Sequence, residues 1–527
     1  MRIIGNRGNT ARKLQAVASG ALPNGDTVVV NADGTVSVVA EQASGVGTAV
    51  VFESGATSNV GVAFDSSNNK IVIAYKDGGN SNQGTAIVGT VDSSDNSISF
   101  GTAAVFETGN LSEMYQIAFD SNSNRVVIAY SDGGNSNYGT AIVGTVSGTS
   151  ISFGTAVVFE SAYSAYINTV FDSNSNKAVI AYQDYGDSQK GKAVVGTVSG
   201  TSISFGSIAT FANAATGFIS SSFDSSNNKV VIAYQDDDNS NYGTAIVGTV
   251  SGTSISFGSE VVFEAARTYD TSCTFDSSSN KIIIAYTDQD SAGSNTRYGT
   301  AIVGTVSGTS ISFGTAVVFQ SARAEGITAL FDSNSNKVVI LYRDNGNNSN
   351  GTAIVATVSG TSISFGTAVV FNVGNSYFFS AAFDSTTNQV VVTYTINSGA
   401  LGTAIVGTVS GTSISFGSPS TYGNDASAVV FDSNSNKMVI AYTDAASPYV
   451  GKALVFKSAF NNTVRGQVAS GGAALVNTKG AINTNQNALT AGQSYFVQTD
   501  GTITTTAGTP SVFAGTAVSA TKLIVKG

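Results

Sequence analysis

The stretch Phe331-Asp-Ser-Asn-Ser-Asn-Lys-Val-Val-Ile-Leu-Tyr342 holds a turn and a strand in twelve residues. Asp332 opens a run of turn formers and can bond its own turn backbone through its side chain. Val338 to Tyr342 is short, β-branched and apolar without alternation, which reads as a strand covered on both faces. The same reading recurs along the chain. A Phe-Asp-Ser begins at Phe64, Phe119, Phe171, Phe223, Phe275, Phe331, Phe383 and Phe431, at intervals of 55, 52, 52, 52, 56, 52 and 48 residues. Eleven residues after each Phe stands a Tyr, from Tyr75 to Tyr442. A Gly-x-Ala follows each time, and a Ser-Ile-Ser-Phe follows seven times, from Ser97 to Ser413.

Each unit contains four strand segments, typified by Ile327–Asp332, Val338–Tyr342, Ala301–Val306 and Ser310–Phe319, the last with a bulge expected at Gly314. Helical periodicity is absent. A period near 50 residues with sheets covered on both faces predicts an all-β fold: an eight-bladed β-propeller of four-stranded antiparallel blades over residues 41–458. An open β-solenoid is the alternative. The array starts in mid-unit with Gly47-Thr-Ala-Val-Val-Phe-Glu53 and ends in mid-unit with Gly451-Lys-Ala-Leu-Val-Phe456, so strands from both ends can close the ring. The repeat resembles the kelch-like and YVTN-like propeller repeats in length and strand order. It lacks the kelch Gly-Gly, the WD dipeptide and the sialidase Asp-box with its Trp.

Composition narrows the chemistry. The 527 residues include no His, no Trp and one Cys, with 11% charged residues and a net charge of −10. Imidazole catalysis, a zinc ribbon and a disulfide framework are excluded, and nucleic acid is disfavoured as a partner. No apolar run approaches a membrane span, and Met1-Arg-Ile-Ile-Gly-Asn-Arg7 holds no signal-peptide core. No cofactor or metal site is predicted: Asp65-Ser-Ser-Asn-Asn69 has alternating oxygen groups, but lacks the glycine and distal Glu of a calcium loop. Recurrence assigns Tyr75 with Asp77, and their counterparts, to packing and turn formation. Cys273 stands where other units place Val62, Ile117, Ala329 or Val429, the position of a small core residue.

In a meander, alternate connections share one ring face. The turns typified by Asp332–Lys337 and Ser307–Ser310 are constant; the connections expected on the opposite face vary. The variable set includes 109–115, 161–166, 184–187, 236–242, 266–270, 288–298 and 375–379, and is rich in Tyr, Asn, Ser and Asp. Aromatic faces stack on sugar rings, so Tyr115, Tyr163, Tyr166, Tyr269, Tyr298 and Tyr377 are the candidate ligand-binding residues. Glu113, Asp187, Asp270, Asp290 and Glu325 are acids outside the repeat pattern, but spacing alone pairs none of them as a glycosidase would need. No catalytic residue is assigned, and the chain is not expected to be an enzyme.

The flanks carry their own motif. Residues 21–40 match 488–507 without gaps at eight of 20 positions, including Asp33-Gly34-Thr35 with Asp500-Gly501-Thr502, and each reads as a hairpin. A closed ring brings its ends together, so residues 1–40 and 459–527 are expected to co-fold into one small β domain with the propeller inserted in it. Gly5-Asn-Arg-Gly-Asn-Thr-Ala-Arg-Lys13, the two hairpins and Ala520-Thr-Lys-Leu-Ile-Val-Lys526 resemble the flanks of virion structural proteins of tailed, especially marine, bacteriophages. The resemblance implies a particle-bound capsid decoration or tail fibre-like protein, assembled in the host cytoplasm. Its implied partners are other virion proteins, further copies of itself and a host-surface glycan. Arg2, Arg7, Arg12 and Lys13 give the first 13 residues a side-chain charge of +4 and are the candidate anchoring residues. A ligand-free architectural spacer and a carbohydrate-active enzyme are the competing expectations.

Overall fold

The computed structural model describes residues 45–289, 297–397, 401–423, 427–444 and 448–457, and short strands in the flanking segments. The chain divides into two compact units, Ser44–Ser458 and a second made of Met1–Ala43 with Ala459–Gly527.

In the larger unit the sequence period is a sheet of four antiparallel strands. Blade four is representative. Its first strand is the second half of Ala209–Asp224, followed by Lys229–Asp236 and Tyr242–Ser251. The fourth strand is broken: Ser254–Phe257 pairs with one half of the third strand, and the start of Val261–Asp276 pairs with the other. The same pairing of second and third strands recurs in all eight sequence units among the described residues. Their first strands lie side by side in ring order, and that of the eighth, Ser427–Asp432, lies beside that of the first, Val50–Asp65. The eighth sheet takes its fourth strand from the start of the array: Val46 pairs with Phe456, and Val50 and Val51 pair with Ala453 and Lys452. Joining the two ends of the array in one sheet leaves no open edge at the seam.

The unbroken apolar runs follow from packing on two sides. In Lys229–Asp236, Val230, Ile232 and Tyr234 join a core shared with blade three, and Val231 and Ala233 join one shared with blade five. Alternate residues face opposite sheets, so every position is apolar. Seven interfaces centre on three aromatic rings, and the one between blades seven and eight has the pair Tyr422 and Tyr442. Phe263, from the fourth strand of blade four, lies 5.0 Å from Tyr286 and 5.8 Å from Phe313, both in blade five. The Gly of the Gly-x-Ala motif makes room for it: a Cβ on Gly243 would fall 2.4 Å from the Phe263 ring. In four blades a Glu follows this Phe and accepts the tyrosine hydroxyl, as from Tyr75 to Glu53 at 3.2 Å and Tyr286 to Glu264 at 2.8 Å. Burial, with the nearby carboxylate, raises the pKa of these hydroxyls well above the ordinary range.

The turn after each Phe-Asp-Ser is held locally. Asp332 Oδ1 accepts from Asn334 N and Ser335 N, and Oδ2 accepts from Ser335 Oγ, so the carboxylate is spent on its own turn. Asp77 likewise accepts from Asn80 N and caps the next connection, while Tyr75 is fully buried. The break at Gly314 contains the expected bulge: Phe313 pairs with Gly304 and Val317 with Ala301, one residue more on the outer strand. A Cβ on Gly314 would lie 1.8 Å from the Thr361 carbonyl of the next blade's turn. Cys273 packs against the core between blades four and five, and its surroundings push the thiol up to about 12.

In the smaller unit the strand Lys13–Ala18 pairs with Ala473–Asn477, and Leu22–Pro23 with Gln467–Val468, so the two flanks share sheets. The two related segments form antiparallel pairs of identical register: Val29 faces Ser37 and Val30 faces Val36, as Phe496 faces Thr504 and Val497 faces Ile503. Arg2, Arg7 and Arg12 lie outside the described residues, and Lys13 begins a strand.

Phe263→Ala is expected to lower the unfolding free energy by about 3–5 kcal/mol, read by urea denaturation. Val262→Ala, at a neighbouring position 43% exposed, should change it by under about 0.5 kcal/mol. Equal effects would refute the interface assignment. Cys273 should react with a thiol reagent at pH 8 at least tenfold more slowly in the native chain than in denaturant; equal rates would contradict its packing.

Candidate functional site

At five crossings one continuous strand passes directly from the fourth position of a blade into the first position of the next, whereas after blades one and six the chain bends between two strands, at 108–110 and 373–375. In Val157–Asp172, Tyr163 still pairs with Tyr138 of blade two, and Ser164 already pairs with Asp184 of blade three. An extended chain directs successive backbone groups to opposite sides, so one strand can serve two sheets. This corrects the expectation of loops at 161–166 and 266–270, while 109–110 and 375 do lie in bends. The candidate tyrosines at 115, 163, 166, 269, 298 and 377 all lie in strands.

Register defines three stations repeated around the ring. A crossing station pairs with the first or second residue of the preceding third strand, and holds Tyr163, Ala215, Arg267 and Arg323 in successive blades. A rim station pairs with the second strand and holds Ala165, Gly217, Tyr269, Glu325 and Tyr377. The next residue sits in a bulge with left-handed backbone: Asn59, Tyr166, Phe218, Asp270 and Gly326 have φ of 51°, 49°, 48°, 48° and 62°. The backbone repeats while the side chain changes at every step. Gly and Asn tolerate this conformation, whereas Tyr166 and Phe218 hold it at a cost of about 1–2 kcal/mol each.

These stations bring aromatic groups together. Asn59, Glu113, Met114, Tyr163, Ala165, Tyr166 and Tyr185 line a cleft of about 460 Å³. The rings of Tyr163 and Tyr185 are 4.5 Å apart at 30°, and Tyr166 and Tyr185 are 38% and 45% exposed. Burial, then the charge of Glu113, raises the Tyr163 pKa. The aromatic line continues from Tyr166 to Phe218 at 6.0 Å and from Phe218 to Tyr269 at 5.6 Å.

Beyond Phe218 the character changes. The guanidinium groups of Arg267 and Arg297 lie 5.0 and 4.5 Å from the Tyr269 ring centroid, and that of Arg343 lies 4.6 Å from Tyr377. Tyr269 and Tyr377 therefore carry cations instead of standing free for stacking. Glu325 accepts from Arg297 at 3.1 Å and from Asn345 at 2.7 Å, and pairs with Arg323 and Arg343. Burial alone would raise its pKa, but these bonds and charges hold it below the usual carboxylate value. Asp270 Oδ2 accepts from Gly326 N at 2.8 Å; burial raises its pKa, and the charge of Glu325 adds to that.

Tyr163 and Tyr166 thus line the cleft, while Tyr298 is the second residue of a third strand, opposite Asp288 and Arg323. The side chain of Tyr115 and all of Asp290 lie outside the described residues. Asp187 pairs with Lys190 and Lys192 at 3.0 and 3.2 Å. Sequence reasoning missed Tyr185, Phe218 and the arginines. One signal was available: four of the five arginines in residues 41–458 fall within 267–343.

No protein-family model and no curated protein sequence matches this chain. Among solved structures it is similar to BP39L lectin from Burkholderia pseudomallei, with TM-score 0.50 and 11% identity over 70% of this chain and 100% of the lectin. It is also similar to Sqt1 from Saccharomyces cerevisiae, with TM-score 0.51 and 10% identity over 80% of this chain and 100% of Sqt1. At these identities the likeness is one of fold, and it identifies the larger unit as a β-propeller.

Tyr166→Asn should leave the thermal midpoint unchanged or raise it, since Asn accepts the left-handed backbone that Tyr resists. A fall of several degrees would show that Tyr166 is kept for packing.

Proposed function

We propose that the chain is a carbohydrate-binding β-propeller displayed on a bacteriophage particle, held there by its flanking β unit and making contact with host-surface glycan. The observation that carries the binding reading is the group of Tyr163, Tyr185 and Tyr166 lining a cleft and continued by Phe218, with Tyr163, Tyr166 and Phe218 at stations where other blades place Ala, Arg, Asn, Asp or Gly. Planar rings beside an open cleft suit the apolar faces of pyranoses, with Asn59 and Glu113 as hydroxyl partners. A lectin, BP39L, shares the fold, so the fold is compatible with such a site without lending residues to it. The particle reading rests on the flank motifs and on the pairing of Lys13–Ala18 with Ala473–Asn477, which makes one foot from both flanks.

The Asp270 and Glu325 pair favours a second reading, a glycoside hydrolase, because their pKa values move apart. Glu325 is engaged by three guanidinium groups and Asp270 by a backbone N–H, which suits a positioning network better than a nucleophile and an acid.

The full chain should bind a subset of a glycan array, and Tyr163→Ala with Tyr185→Ala should weaken that binding at least tenfold with the fold intact. A blank array would leave an architectural spacer. Release of new reducing ends from a bound polysaccharide, abolished by Asp270→Asn, would instead establish the hydrolase. Immunogold labelling of particles at capsid or tail tests the virion assignment; unlabelled particles would overturn it.

A further inference from the structure

The carbohydrate reading leaves the charge of the ligand open, and the distribution of arginine bears on it. The chain carries a net charge of −10, and of the five arginines in residues 41–458 only Arg125 lies away from the sector of blades five and six. Arg125 follows an Asp-Ser turn and donates to Gly200 O at 2.8 Å, on the constant face of the ring. The other four converge from three stations: Arg267 and Arg323 from crossings, Arg297 from the start of a third strand, and Arg343 from a second strand facing Glu325.

A purely structural ion pair needs one cation per carboxylate. Here three guanidinium groups meet the carboxylate of Glu325, with Asp270 near Glu325 and Arg297 and with Arg267 beside Asp237, so four guanidinium groups share three carboxylates. The Nε of Arg343 is buried with no hydrogen-bond partner among the described residues. Stacking on Tyr269 and Tyr377 fixes the guanidinium groups and partly desolvates them, which prepares them to bind an anion through paired N–H groups. This sector is continuous with the cleft through Phe218, in ring steps of 6.0 and 5.6 Å.

We propose that the ligand is an anionic saccharide, bearing carboxylate or sulfate groups, with a sugar ring on Tyr163, Tyr166 and Tyr185 and its anionic groups on Arg267, Arg297 and Arg323. The proposal rests on the carbohydrate-binding reading and adds the substrate class.

The test is calorimetric titration of the full chain with three probes: an oligouronate, a sulfated dextran oligosaccharide and an unmodified dextran oligosaccharide. At least one anionic probe should bind tenfold or more tightly than the neutral one, and that advantage should shrink as salt is raised. Which anionic probe binds distinguishes carboxylate from sulfate. Arg297→Gln with Arg323→Gln should remove the advantage, whereas Arg125→Gln should change nothing. If the double variant unfolds, Arg323→Gln alone serves, because that side chain is 43% exposed. Equal affinity for all three probes, or an anionic preference that survives the arginine variants, overturns the proposal and leaves carbohydrate binding standing. No binding to any probe, together with a blank glycan array, removes both.

Discussion

A phenylalanine ring seated over a glycine of its own sheet and against a tyrosine of the next is the contact on which the ring depends. Phe263 over Gly243 and beside Tyr286 is one instance, and Phe52 over Gly451 and beside Tyr75 repeats it at the seam between the chain's two ends. The geometry needs all three partners. A side chain on the glycine would displace the ring, and without the ring the tyrosine hydroxyl would lose its apolar enclosure. Because the seam uses the same contact as six of the other interfaces, with Tyr422 replacing the Phe in the seventh, closure is as well packed as the interior of the array.

That rigidity allows the crossings to vary. The first strands are held by their turns and by packing on both sides, so the residues at the rim stations need not help to hold the blade. Ala165, Gly217, Tyr269, Glu325 and Tyr377 share one register position and have nothing else in common. Repetition in the scaffold thus presents a patterned surface, aromatic on one arc and guanidinium-bearing on the next. The left-handed backbone at Tyr166 and Phe218 runs against local preference, and the surrounding sheet is stable enough to hold it.

Legibility followed the range of the interactions. The Asp332 turn, the bulge at Gly314 and the two-sided burial of Val338–Tyr342 each leave a local pattern, because neighbouring residues enforce them. The crossing at Ser161–Tyr166 was misread as a loop because its composition is turn-rich, while its extended state comes from pairing with two different sheets. Tyr269 reads as a free aromatic until Arg267 and Arg297 are placed over it, and Arg297 is 28 residues away in the chain.

Sequence by itself determined the repeat, the all-β class and the strand pattern within each unit, because hydrophobic period, turn residues and motif spacing act over a few residues and survive eightfold repetition. Tertiary structure alone decided which side chains meet at the rim. Blades five and six are joined to each other, and to the cleft at blade three, by packing across sheets, and that adjacency brings Glu325, Arg297 and Arg343 to one point. No pairwise spacing encodes it, since the positions of these residues are set by ring closure and by the bulge register.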